Sequence, residues 1–241
     1  MRILYTLPIL LCITAIAAGD RVDDMDTATF LSHVRQPRLQ KSWGIFKGTV
    51  HYLEGHKPKG KLPVELRARF SPERITAQVI FNDQWYLVGQ DFRDGIAGTS
   101  VVEEKAPVPG AITMADRGLR PSDLTLSFLY WDFVEELPAD KVANHRCRVL
   151  RLRHPEAKET VVVWVSHDYL FPMAVEWFAE HQEEPYRRLA FKDPKKVGDV
   201  YVIKRIVISN TGWRTKVVFK DIKLAETENE PIPDDLFRTL E

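Results

Sequence analysis

The shortness of the links between apolar segments constrains this chain most. Beyond about residue 41, runs rich in Val, Ile, Phe, Tyr and Trp recur, separated by Gly, Pro, Asn, Asp or charged residues, as strands are by turns. Strands are predicted near 42–52, 62–70, 74–81, 84–90, 145–153, 159–166, 172–180, 186–192, 199–209 and 213–224. Links such as Ser71-Pro72-Glu73 and Phe81-Asn82-Asp83-Gln84 are too short for a helical crossover, so neighbours must pair as antiparallel hairpins.

Alternation within these segments gives the sheet one apolar face. Leu62, Val64, Leu66, Ala68 and Phe70 fall on one side of a strand, with Glu65, Arg67 and Arg69 on the other. Ile75, Ala77, Val79 and Phe81 repeat the pattern, and Met173, Val175 and Trp177 oppose Glu176 and Glu180, with Phe178 on the polar side. Val161-Val162-Val163-Trp164-Val165 is apolar on both faces, which predicts a central or covered strand. A sheet of about ten strands with one apolar face must close into a barrel, fold into a sandwich, or be covered by helices; the pattern leaves all three open.

The N-terminus is of another kind. Met1-Arg2, an apolar run from Ile3 to Ile16, and Ala15-Ile16-Ala17 have the layout of a secretory signal cut after Ala17 or Ala18, leaving 19–241 as one exported domain. Cys12 falls within the discarded run, and Cys147 becomes a lone, core-type cysteine. An amphipathic helix should follow, capped by Asp26 or Asp23, with Phe30, Leu31 and Val34 on one face and Pro37 ending it. The 34 basic and 34 acidic residues cancel, which speaks against nucleic acid or an anionic membrane surface as partner. No segment after the leader is long and apolar enough to span a bilayer.

From Asp91 to Ser122 no period is sustained, a length unusual for a passive connection. A short helix or turn, Leu124 to Trp131, then follows, apolar nearly all round. Such a segment either plugs the core or forms a movable lid over an apolar cavity. Catalytic patterns are missing. The seven histidines show no metal-type spacing, Gly98-Thr99-Ser100-Val101-Val102 lacks the second glycine of a nucleophile elbow, and the pairs Glu103-Glu104, Glu135-Glu136 and Glu183-Glu184 read as solvated charge. Glu54 to Lys61, with three lysines, reads as a solvated hairpin tip. A large apolar face without such a constellation suits a binding protein that needs no cofactor or metal.

The order of elements is specific. The leader, helix and meander are followed by Cys147-Arg148-Val149-Leu150-Arg151-Leu152, by Val163-Trp164-Val165-Ser166 with Leu170-Phe171-Pro172-Met173-Ala174-Val175-Glu176, and by Asn229-Glu230-Pro231-Ile232-Pro233-Asp234-Asp235-Leu236-Phe237. In this order the chain resembles the outer-membrane lipoprotein-sorting (LolA-like) family, in its divergent branch. The resemblance implies a mainly β fold with α, an incomplete antiparallel barrel covered by an N-terminal helix and a lid segment. It also implies a periplasmic carrier, monomeric, that shields acyl chains of lipids or lipoproteins and meets inner- or outer-membrane transfer partners. An acyl chain contributes about 0.8 kcal/mol per buried CH2, so an apolar half-barrel suffices to hold it. On that reading Leu66, Phe70, Val79, Phe81, Met173, Val175 and Trp177 form the cavity wall, and Phe30, Leu31, Phe128 and Leu129 the lid; otherwise they are ordinary core. The family's lid-latching arginine has no counterpart by motif, since Arg67, Arg69 and Arg205 lie on strands outside any matching pattern. The alternative is a non-enzymatic envelope sensor or interaction module that uses the same cavity to detect lipoproteins.

Overall fold

The computed structural model describes residues 12–13, 22–35, 41–82, 84–91, 98–105, 109–197 and 200–238. The predicted leader therefore lies outside the described residues, except for strand β1 (Cys12–Ile13). Helix α1 (Thr27–Arg35) follows, then strands β2 (Ser42–Glu54), β3 (Lys57–Phe70), β4 (Arg74–Phe81), β5 (Gln84–Asp91) and β6 (Gly98–Lys105). After helix α2 (Pro121–Thr125) come β7 (Asp132–Val142), β8 (His145–Arg153), β9 (Glu159–Ser166), β10 (Pro172–Ala179), β11 (Arg187–Val197), β12 (Val200–Ser209) and β13 (Trp213–Glu226). The fold is mainly β, and the antiparallel strands form an open sheet that does not close into a barrel.

The chain divides into two compact units, one of Met1–Arg38 with Trp131–Ile206 and one of Leu39–Tyr130 with Val207–Glu241. In the first, the strand order is β7-β8-β9-β10-β11-β12, each strand beside its neighbour in the chain, and β1 pairs with β12 with Cys12 opposite Val202. In the second, the order is β6-β5-β4-β3-β2-β13, so the last strand returns beside the first of the meander. β9 is a central strand between β8 and β10, which accounts for its valines on both faces.

Helix α1 forms as predicted. Asp26 caps it: its carboxylate accepts hydrogen bonds from the Thr29 amide (2.9 Å) and hydroxyl (2.6 Å), and these bonds hold its pKa below the ordinary aspartate value. Phe30, Leu31 and Val34 are its buried face.

Four local readings change. The hairpin tip predicted over 54–61 is shorter, since β3 already begins at Lys57 and only Gly55-His56 turn; the lysines are exposed strand residues, whose charge hid the strand. β6 lies inside the stretch read as aperiodic, paired with β5 from Trp85–Lys105 to Asp91–Gly98. β7 escaped prediction because it is exposed along nearly all its length, so no apolar alternation marks it. As the edge strand of its unit it tolerates Pro138. Finally, the helix or turn over Leu124–Trp131 is two pieces: α2, opened by Pro121, and a 3-10 turn over Ser127–Tyr130. Between them Leu126 takes a left-handed conformation (φ 57°), which costs a non-glycine residue about 1–2 kcal/mol and persists where packing fixes it; Leu126 is buried.

Candidate functional site

The predicted wall and lid residues are all buried, and the structure sorts them into one group in each unit. In the first unit, cross-strand pairing sets Leu150, Val163, Val175 and Leu189 in one row and Leu152, Val161, Trp177 and Arg187 in the next, on a single face of β8 to β11. Val175 and Trp177 thus share one apolar surface, with the Arg187 guanidinium 4.6 Å above the Trp177 ring. Met173, at an irregularity in the β9–β10 pairing between Pro172 and Ala174, is also buried.

Arg148 stands on this same face, two residues before Leu150, and holds α1. It is only 8% exposed. Its Nε and Nη2 donate to the two carboxylate oxygens of Glu136 (2.6 and 2.5 Å), Nη1 to the Met25 carbonyl (2.7 Å), and Nη2 to the Thr27 hydroxyl (3.0 Å). Thr27 in turn donates to Glu136 (2.5 Å), and the guanidinium lies 4.4 Å from the centre of the Phe30 ring. One planar fork thus joins β7, β8 and the start of α1. Glu136 consequently has its pKa lowered, chiefly by the hydrogen bond from Arg148 and despite its burial.

One sequence reading is thereby corrected. Glu135-Glu136 is not uniformly solvated charge: Glu135 pairs with Arg151 near the surface, while Glu136 turns to the apolar face and meets Arg148. No motif assigns an arginine to hold a cover; in the structure the arginine bonded to the start of α1 is Arg148. Its signal in the sequence was an arginine in phase with Leu150 and Leu152 on the apolar side of a strand.

In the second unit, Leu66 pairs with Val79, Phe70 with Ile75, and Phe81 with Val64, so the four predicted wall residues share one face of β3 and β4. The segment from 109 to 130 covers strands of this unit. α2 packs against β4 and β5, and the 3-10 turn carrying Phe128 and Leu129 against β6. The Met114 amide donates to the Gln84 side chain (3.3 Å), and the Thr215 hydroxyl to the Arg117 carbonyl (2.5 Å). Gly118 (φ +64°) passes so close to Trp213 that an added Cβ would lie 2.3 Å from its ring. Leu119, Leu124, Leu126, Phe128 and Leu129 are buried.

The opposite face of β3 and β4 is covered by the C-terminal tail. Gln78 pairs in register with Arg67 and is fully buried, because its amide both donates to the Arg238 carbonyl (2.9 Å) and accepts from the Arg238 amide (2.8 Å). Arg67 donates to the carbonyls of Asp235 (2.7 Å) and Leu236 (3.1 Å), and Trp43 to that of Glu230 (3.2 Å). The Asn229–Phe237 motif is thus a strap bound through its backbone. Arg205 pairs with Asp193 at the surface.

Cys147 is buried and unpaired, and burial pushes its thiol up to about 11, the profile of a packing residue and not of a nucleophile. On the polar face of the first unit, a cleft of about 700 Å³ is lined by Arg151, Arg153, Lys158, Glu180 and the half-buried Phe178 among others. None of the predicted wall residues lines it.

A family model described as "Uncharacterized protein" matches residues 115–240. No curated protein matches the chain in sequence. Among solved structures, a LolA superfamily protein from Nitrosomonas europaea is 13% identical, with a TM-score of 0.55 over 89% of this chain and 98% of that one. An outer membrane lipoprotein-sorting protein domain from Vibrio parahaemolyticus is 13% identical, with a TM-score of 0.53 over 76% of this chain and 85% of that one. A DUF1329 family protein from Desulfovibrio piger is 12% identical, with a TM-score of 0.55 over 85% of this chain and 93% of that one. At these identities the likeness is one of fold.

Proposed function

We infer, from the premise that the chain belongs to the family matched over residues 115–240 and has the LolA-like fold, that it is a non-enzymatic periplasmic carrier of lipid or lipoprotein acyl chains. The observation that carries this reading is the seating of α1. An apolar strand face is covered by a short separate helix held at its start by Arg148 and at its end by Arg35, which donates to the Trp131 carbonyl (2.5 Å), so releasing a few polar bonds at its two ends exposes the face. A core meant to stay shut is more simply sealed by apolar contact alone.

On this reading Met173, Val175 and Trp177 offer wall, and Phe30 and Leu31 the cover; Leu66, Phe70, Val79 and Phe81 offer wall beneath Phe128 and Leu129. Each methylene of a captured chain contributes about 0.8 kcal/mol, so affinity needs no specific polar contact. Residues 1–18 direct export and are then removed, and with them goes the β1 pairing on β12.

Lipid extraction of the protein purified from periplasm, followed by mass spectrometry, tests the reading, together with uptake of a fluorescent fatty acid. The expected result is co-purifying acyl lipid and saturable uptake, faster when Arg148 is replaced by Lys, which keeps the charge but loses the fork. A folded protein with no bound lipid and no uptake overturns it.

A further inference from the structure

The second unit carries a polar pocket of about 330 Å³, lined by Arg69, Ser71, Glu73, Arg74, Thr76 and Asp91, which the acyl-binding reading does not use. Its floor follows from register. Arg69 lies opposite Thr76 on the next strand, and Thr76 opposite Gly89 on the one after, so these three form one row across β3, β4 and β5. Arg74 and Asp91 form the adjoining pair on the same side.

The row has a gap where Gly89 stands. The Arg74 guanidinium lies in that gap, so close that a Cβ on residue 89 would be 2.2 Å from Nη2. The backbone behind it is fixed, because the Ser71 hydroxyl accepts from the Arg74 amide (3.1 Å) and donates to its carbonyl (2.9 Å). Yet the head group is underused. Arg74 Nε is shielded from solvent without a hydrogen bond, and the Asp91 carboxylate approaches it only to 3.9 Å, beyond hydrogen-bonding range. Arg69 makes no hydrogen bond or ion pair through its guanidinium among the described residues. Two guanidinium forks with free donors thus line one small cleft, and such forks fit tetrahedral oxyanions bidentately. Glu73 and Asp91 give the same cleft a negative side, which repels a bare anion and suits a ligand carrying a cation next to its oxyanion.

We propose that this pocket is a binding site for a zwitterionic phosphate ester of the phosphoethanolamine type, with the phosphate on Arg69 and Arg74 and the ammonium toward Glu73 and Asp91. The site lies wholly within the second unit and is independent of acyl capture. A water-soluble probe without an acyl chain therefore tests it separately from the carrier reading.

The test is calorimetric titration of the full-length protein with phosphoethanolamine, inorganic phosphate and ethanolamine, each alone. Phosphoethanolamine should bind saturably, and the two fragments at least about tenfold more weakly, since each meets half of the charge pattern. Arg74→Gln should cost about tenfold by removing one bidentate fork. Gly89→Ala should cost as much with the fold intact, since its methyl displaces only the mobile end of Arg74; unchanged circular dichroism confirms that. No saturable binding, or binding unaltered in both folded variants, overturns the site, and phosphate binding as tightly as phosphoethanolamine overturns its zwitterionic selectivity. Co-sedimentation with phosphatidylethanolamine vesicles that is lost in Arg74→Gln identifies a lipid headgroup as the source. Binding of the soluble ester without vesicle binding identifies a free phosphate ester.

Discussion

Helix α1 and the 109–130 segment both cover apolar strands, but they are fastened by different physics. α1 has a single turn-and-a-half of buried side chains, Phe30, Leu31 and Val34, and its polar anchorage is charged at both ends: the pair Arg148–Glu136 at its start and Arg35, donating to the Trp131 carbonyl (2.5 Å), at its end. The 109–130 segment buries Met114, Leu119, Leu124, Leu126, Phe128 and Leu129 and reaches its strands through hydrogen bonds with the neutral side chains of Gln84 and Thr215 and through Arg117 stacked on the Tyr52 ring (4.8 Å). A charged clamp is directional and is lost when one partner is lost, whereas apolar burial is lost only piecemeal. On the proposed carrier reading, α1 is the cover that moves and the 109–130 segment, with Phe128 and Leu129, stays in place as a plug.

The largest effect should come from the plug. Phe128→Ala is expected to cost about 3–5 kcal/mol, the cavity left by a fully buried phenyl ring, seen as a lower urea midpoint. Arg148→Met should cost about 1–3 kcal/mol by removing the donors to Glu136 and leaving the part-buried bond to the Met25 carbonyl unmade. Hydrogen exchange should then report loss of protection over 27–35 and none over 119–129. Equal loss in both segments would erase the distinction.

Gln78→Ala should cost about 1–3 kcal/mol, because it leaves both backbone groups of Arg238 unpaired. It should also speed carboxypeptidase trimming of the C-terminal strap without altering α1.

Acid is the mildest lever. The folded pKa values of Glu136 and Asp26 lie below their ordinary values, so their contribution to holding α1 is complete above the unfolded pKa and is lost as pH falls through the folded one. Below about pH 4, α1 should lose exchange protection before the plug does. Simultaneous loss would show that the clamp does not act separately.

Much of the fold was legible because it rests on local rules. The short links forced antiparallel neighbours, and the alternation in β3, β4 and β10 placed Leu66, Val79 and Val175 on the correct faces. Asp26 and Phe30 announced α1. What escaped was structure whose residues carry no apolar period: β7, exposed along its length; β6, among turn residues; and the first residues of β3, all charged or turn-forming. Within the site, burial of the predicted wall and lid residues followed from patterning, but their division between two units did not.

The sequence by itself determined an antiparallel, mainly β chain with one apolar face and a helix ahead of it, because hairpin length and side-chain alternation act within a few residues. Only the tertiary structure decided which polar groups matter. Arg148 meets Met25 and Thr27 across more than a hundred residues, Gln78 meets Arg238 from as far, and Arg74 depends on the missing side chain at Gly89. A polar residue's role is set by what lies opposite it in space, and that is fixed only once the strands are paired.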